Sequence, residues 1–209
     1  MIKAVIFDMD GVIIDARDWH FGALNSALEL FGESITYQDH LDRFDGLPTK
    51  TKLKMLSQDS RVPQHLHKII EAIKQERTLR QAAHLCFPKL EHLLLISWLK
   101  KNGQKVGLAT NSVKQTTFAM LGFAGLANEF DVILTNEDVV ASKPDPEIYL
   151  KSCQLLDLKP AEVLVVEDNI NGINAAKSAG CLVVEVASPS EVTIALLAPY
   201  LELEGNKHD

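Results

Sequence analysis

Short apolar runs, recurring along a 209-residue chain and mostly ending in acidic or hydroxyl side chains, constrain this fold more than any other feature. Residues 2–7, 105–110, 131–135, 163–168 and 182–186 are each too short for a helix and apolar at successive positions. Such runs suit strands of a parallel sheet buried on both faces. Helical periodicity lies between them, around 89–101, 113–122, 146–156 and 171–179, the last stopped by Gly180 in a left-handed position. Alternating strands and helices of these lengths predict a doubly wound α/β sheet with its ligands beyond the strand C-termini.

The stretch 16–83 interrupts that alternation. It offers amphipathic spacing at Phe21, Leu24, Ala27-Leu28 and Phe31, at Leu53 and Leu56, and at Leu66, Ile69-Ile70 and Ile73. We expect a small helical domain over 16–83, inserted into a core built from 1–15 and 84–209, with Asp45 to Lys50 as a polar loop inside it. The end, Glu204 to Asp209, is expected to fray. No apolar run reaches the roughly 18–20 residues of a membrane span. Asp8 and Asp10 interrupt the first apolar run too early for a signal peptide. Cys86, Cys153 and Cys181 are odd in number and widely spaced, which fits reduced thiols in a cytoplasmic protein. A net charge of −7, from 28 acidic and 21 basic residues, argues against nucleic acid as a partner and leaves small phosphorylated substrates open.

The candidate chemistry sits at the ends of the runs. Asp8 and Asp10 flank Met9 on the first loop; one carboxylate can attack phosphorus and the other move the proton. Gly11 lets the backbone come close to a phosphoryl group. Thr110-Asn111 can bind phosphoryl oxygens, although Thr110 or Ser112 capping the next helix is the simpler reading of that segment alone. Lys143, in Ser142-Lys143-Pro144-Asp145-Pro146, supplies positive charge. Glu167 and Asp168 end a buried strand, where two carboxylates call for a cation, and a donor set of hard oxygens favours Mg²⁺.

In this order, Phe7-Asp8-Met9-Asp10-Gly11, Thr110-Asn111, Lys143 and Glu167-Asp168-Asn169 with Gly172 resemble the four motifs of the haloacid dehalogenase-like hydrolases, in the branch with a helical cap. The resemblance implies a Rossmann-like core with a mobile cap. It makes Asp8 nucleophile and metal ligand, and Asp10 acid/base with a backbone carbonyl on the metal. Asp168 becomes a metal ligand, with Glu167 in or beside the shell. Thr110, Asn111 and Lys143 hold the phosphoryl group. Asp10 argues against the dehalogenases and the phosphonoacetaldehyde-cleaving members. The expected activity is Mg²⁺-dependent hydrolysis of a small phosphorylated metabolite by a monomer, with a dimer left open. The alternatives are a β-phosphoglucomutase-like mutase and a catalytically idle binding protein on the same fold. His20 and Gly46 match positions used by the mutases, while Pro48-Thr49-Lys50 stands where those carry a serine and a phosphate-gripping arginine. Lys50 or Lys52 could replace that arginine, and the mutases' cap lysine falls near Lys74 to Arg77.

Overall fold

A computed structural model describes residues 1–201; the expected fraying of Glu204 to Asp209 lies outside the described residues. Five strands form one parallel sheet: β1 Ala4–Phe7, β2 Lys105–Ala109, β3 Val132–Leu134, β4 Val163–Glu167 and β5 Leu182–Glu185. Their order is β3-β2-β1-β4-β5, so the chain starts in the middle and winds outward both ways. Each expected strand is present, trimmed by one to two residues where the backbone turns toward the loops.

Alternation along the strands explains the layers. Val5, Phe7, Val106, Leu108, Leu164 and Val166 face one side, where they meet Leu95, Ile96 and Leu99 of helix α5 (Leu90–Lys101) and Met120 and Leu121 of α6 (Lys114–Phe123). Ala4, Ile6, Val163 and Val165 face the other, against Ile148, Tyr149 and Cys153 of α7 (Glu147–Leu155) and Ala175 and Ala176 of α8 (Ile170–Ala179). Period-two side chains on a sheet covered twice need apolar residues at every position, which is why the runs read as continuous. Gly180 ends α8 with φ +86°, the left-handed stop expected of it.

Helices α1 (Arg17–Glu29), α2 (Tyr37–Asp39, continued by one wide turn through Phe44), α3 (Thr49–Gln58) and α4 (His67–Leu85) gather around Leu24, Leu28, Phe44, Leu53, Leu56 and Ile70. Two expectations need correction here. The polar loop ends at Pro48 rather than Lys50, because Thr49 already opens α3. The second concerns His20, expected in the linker after the first motif; it lies in the first turns of α1. The last short helix, α9, spans Ile194–Leu197.

Candidate active site

Register brings the chemistry together. Phe7 pairs with both Leu108 and Val166, so the three strands end side by side and Asp8, Thr110 and Glu167-Asp168 share one edge. The Asp8 N–H still donates to the Val166 carbonyl at 3.0 Å, which fixes the backbone under its carboxylate. Lys143 comes from the loop between β3 and α7 and is buried. Its ammonium has three hydrogens and three acceptors: Asp8 Oδ1 at 2.6 Å, Glu167 Oε1 at 2.6 Å and the Ala109 carbonyl at 2.8 Å. Burial opposes charge on Lys143, but Asp8 and Glu167 outweigh it and hold its pKa above the ordinary lysine value. Burial pushes Asp8 well above the usual carboxylate range, against the pull of Lys143.

Glu167 spends both oxygens inside the protein. Oε1 also accepts from the Tyr149 hydroxyl at 2.7 Å, and Oε2 accepts from the N–H groups of Asp168 and Asn169 at 3.2 Å each. A side chain at Gly172 would overlap that carboxylate, so the fourth motif needs its glycine. Glu167 is thus engaged on both oxygens, one of them holding the Lys143 ammonium. Thr110 is buried, and its Oγ1 accepts from the Ser112 N–H at 3.0 Å. No side chain from this segment caps α6; the Glu137 carboxylate takes the Lys114 N–H at 2.6 Å instead.

Asp10 has a separate set of neighbours. Its Oδ2 accepts from the Ser112 hydroxyl at 2.6 Å, and its Oδ1 lies 3.1 Å from His20 Nε2 without hydrogen-bond alignment. Lys74 Nζ is 3.0 Å from His20 Nδ1. An ammonium can only donate, so Nδ1 accepts and Nε2 carries the proton toward Asp10. Burial raises Asp10, but His20 and Ser112 overcome this and leave its carboxyl below the usual range. Burial and then Lys74 lower His20.

The loop of residues 45–48, the expected cap loop, lies across the strand edge. Asn111 Nδ2 donates to the Gly46 carbonyl at 2.8 Å, and its Oδ1 accepts from the Lys143 N–H at 3.2 Å. The Asn111 side chain thus ties the cap loop to the Lys143 loop. Asn169 Nδ2 donates to Asp45 Oδ2 at 3.1 Å, and Gly46 has φ +70° with its Cα against Asn169. The cleft beneath opens between the strand edge and this loop, with Asp8, Asp10, Lys143 and Asp168 in its lining. Lys52 and Lys74 line it. Lys50 does not: it is exposed, two residues and about 200° around α3 from Lys52. Thr49-Lys50-Thr51 carries no apolar residue, so nothing in the sequence shows the phase of α3 at this end.

The comparisons agree with this geometry. Residues 5–186 match the family of haloacid dehalogenase-like hydrolases. The chain belongs to that family. It is 32% identical to a phosphorylated carbohydrates phosphatase of Thermotoga maritima, over 86% of this chain and 82% of that protein. It is also 32% identical to a β-phosphoglucomutase of Bacillus subtilis, over 88% and 83%. A β-phosphoglucomutase structure from Clostridium difficile superposes with a TM-score of 0.82 at 23% identity, covering 95% of this chain and 96% of that one, a likeness of fold.

A haloacid dehalogenase-like hydrolase of this build has a place for a hard cation. Carboxylate oxygens of Asp8, Glu167 and Asp168 lie within 4.8 Å of one another. Asp168 Oδ1 is buried without a hydrogen-bond partner among the described residues. Burial and then Glu167 push Asp168 up to about 7 despite Arg17 beside it. This acidic cluster, beside the orphaned Asp168 acceptor, fits a hard cation and offers no nitrogen or sulfur ligand. Within it, Glu167 is already engaged by Lys143, Tyr149 and two N–H groups. Arg17, Tyr149 and Asn171 complete the surroundings, single polar residues without a sequence signal, together with Ser112, which the sequence offered only as a helix cap.

Proposed function

We propose that this enzyme is a Mg²⁺-dependent phosphatase acting on a small phosphorylated metabolite, a sugar phosphate or similar, through an aspartyl-phosphate on Asp8. One observation carries the reading: two carboxylates two residues apart have unlike partners. Asp8 is buried against a lysine at the strand edge, whereas Asp10 reaches a hydroxyl and an imidazole across the cleft. Before substrate binds, burial holds Asp8 up while His20 and Ser112, against burial, hold Asp10 down, the reverse of what attack and protonation need. A cation beside Asp8 and an anionic phosphoryl group beside Asp10 would have to turn both biases round.

In the first step an Asp8 oxygen attacks phosphorus, the ester P–O bond breaks, and protonated Asp10 gives its proton to the leaving oxygen. In the second, water attacks the acyl phosphate, Asp10 takes a water proton, and phosphate leaves with Asp8 restored. Lys143 keeps Asp8 in place and counters charge at the transferring group. Thr110 and Asn111 border the same space, and the segment 16–83 acts as the cap that excludes bulk water. Asp8, Asp168 and the Asp10 backbone carbonyl would hold the metal, with Glu167 beside them. When bound, Mg²⁺ would neutralise the phosphoryl oxygens and the crowded carboxylates. Among the described residues no helix is long and apolar enough to cross a membrane. The kinship with a phosphatase of phosphorylated carbohydrates supports the substrate class. Asp8→Asn should cut turnover of a generic phosphate ester in Mg²⁺ by about 10⁴-fold or more, with acid-stable label from a ³²P-substrate lost from the protein. Near wild-type turnover in that variant would sink the mechanism.

A second reading has an observation of its own. The Lys74–His20–Asp10 series supplies the cap lysine and histidine of a mutase-like site, and a mutase is among the relatives. Transfer from Asp8 to a sugar hydroxyl would then replace transfer to water. Free phosphate and isomeric sugar phosphate, followed in one time course, separate the two.

A further inference from the structure

Arg17 takes no part in the steps above, yet it joins the two halves of the cleft. Its Nη2 donates to Asp168 Oδ2 at 2.9 Å, while its Nε lies 3.4 Å from Asp45 Oδ2. Asp168 belongs to the loop after β4 and is nearly inaccessible, with a side chain 4% exposed. Asp45 opens the cap loop and is tied to the core by the Asn169 amide at 3.1 Å, with Asn171 Nδ2 on its carbonyl at 3.3 Å. The Asp168 carboxylate is thus fixed on one oxygen only. Arg17 holds Oδ2, Gly11 packs so closely that a side chain there would overlap it, and Oδ1 is buried with no partner among the described residues.

We infer that Arg17 is a positioning residue that couples cap closure to divalent-cation binding by holding Asp168 with Oδ1 free for the ion. The inference rests on the metal-dependent reading proposed above. A guanidinium can place two N–H groups on two different carboxylates at once, which a single ammonium point charge does poorly. With the cap loop docked, Asp45 and Asp168 both anchor the fork. When Asp45 leaves, one anchor is lost and the orientation of Asp168 loosens. Linkage makes the coupling mutual: an ion on Asp168 favours the docked loop as much as the docked loop favours the ion.

The sign of one measurement separates this from a plain charge effect. A nearby cation repels a second one, so charge alone makes Arg17→Gln bind divalent ions more tightly. Loss of a group that orients a ligand instead weakens binding by about 10–100-fold. Free Mn²⁺ can be followed by electron paramagnetic resonance during titration of the full chain, with neither substrate nor turnover. The expected result is roughly tenfold weaker binding in Arg17→Gln, partial recovery in Arg17→Lys, and a smaller loss in Asp45→Asn that disappears in the Arg17→Gln background. Equal or tighter Mn²⁺ binding in folded Arg17→Gln overturns the inference, as does an Asp45→Asn effect that persists without Arg17. Urea unfolding verifies each fold. If Arg17→Gln does not fold, Asp45→Asn with Arg17→Lys carries the test, and unchanged Mn²⁺ affinity in both overturns it. A wild-type chain that binds no Mn²⁺ would remove the metal-dependent reading itself, and this inference with it.

Discussion

Lys143 donates to three acceptors, two of them carboxylates, and Glu167 divides four hydrogen bonds between its two oxygens. Buried charges cost least when their donors and acceptors are matched, and the Lys143 ammonium and the Glu167 carboxylate meet that condition. Tyr149 is the member of this network that a sequence hides best. It sits inside a helix at an apolar-face position, and only coordinates reveal that its hydroxyl reaches Glu167. Tyr149→Phe removes one hydrogen bond to a charged group while keeping the ring in the core. We expect a loss of about 1.5–3 kcal/mol in urea unfolding. Turnover should fall only severalfold, because Lys143 and two N–H groups still hold Glu167. Unchanged stability would mean that the hydroxyl is not a working partner of Glu167.

Among the elements, the strands were legible because a sheet covered on both faces must be apolar throughout, and Val163–Glu167 could be nothing else. Helix α3 was only half legible. Leu53 and Leu56 mark its buried face, but Thr49-Lys50-Thr51 has no apolar period, so the start of the helix, and with it the choice of Lys52 over Lys50, needed coordinates. The Arg17–Asp168 contact spans 151 positions, and no local pattern announces a pair so far apart. The cap loop preceding α3 gives an element-scale test. Gly46 combines a left-handed backbone with direct contact to Asn169, and its carbonyl takes the Asn111 amide. Gly46→Ala should cost about 1–2 kcal/mol in backbone strain and push the loop away from the core. Its signature is a raised KM and lowered kcat in a chain that still unfolds cooperatively. Kinetics equal to wild type would show that docking of this loop is not required for turnover.

At the scale of the whole molecule, charge is split across the cleft: carboxylates crowd the strand edge, and Lys52 and Lys74 face them from the cap side. Lys52 is 7% exposed, and neither lysine forms an ion pair among the described residues. Burial lowers both ammonium groups to about 8, and their mutual repulsion adds to the fall at Lys74. An anionic substrate would supply the missing partner, so the free enzyme needs both lysines protonated to attract it. The logarithm of kcat/KM reports groups in the free enzyme. It should stay level up to about pH 8 and then fall as pH rises, by up to tenfold per pH unit for each lysine that binds substrate. Stability should move the opposite way. The folded chain releases these protons near pH 8, whereas the unfolded chain keeps them until the ordinary lysine value of 10.5. Between the two the unfolded state binds more protons, so stability rises with pH across that window. Urea midpoints and kcat/KM measured side by side from pH 7 to 10 would therefore diverge. Lys52→Gln should flatten part of both trends at once. If kcat/KM holds level to pH 10 in the wild type, the cap lysines do not recognise the substrate, and the cleft binds it from the strand edge alone.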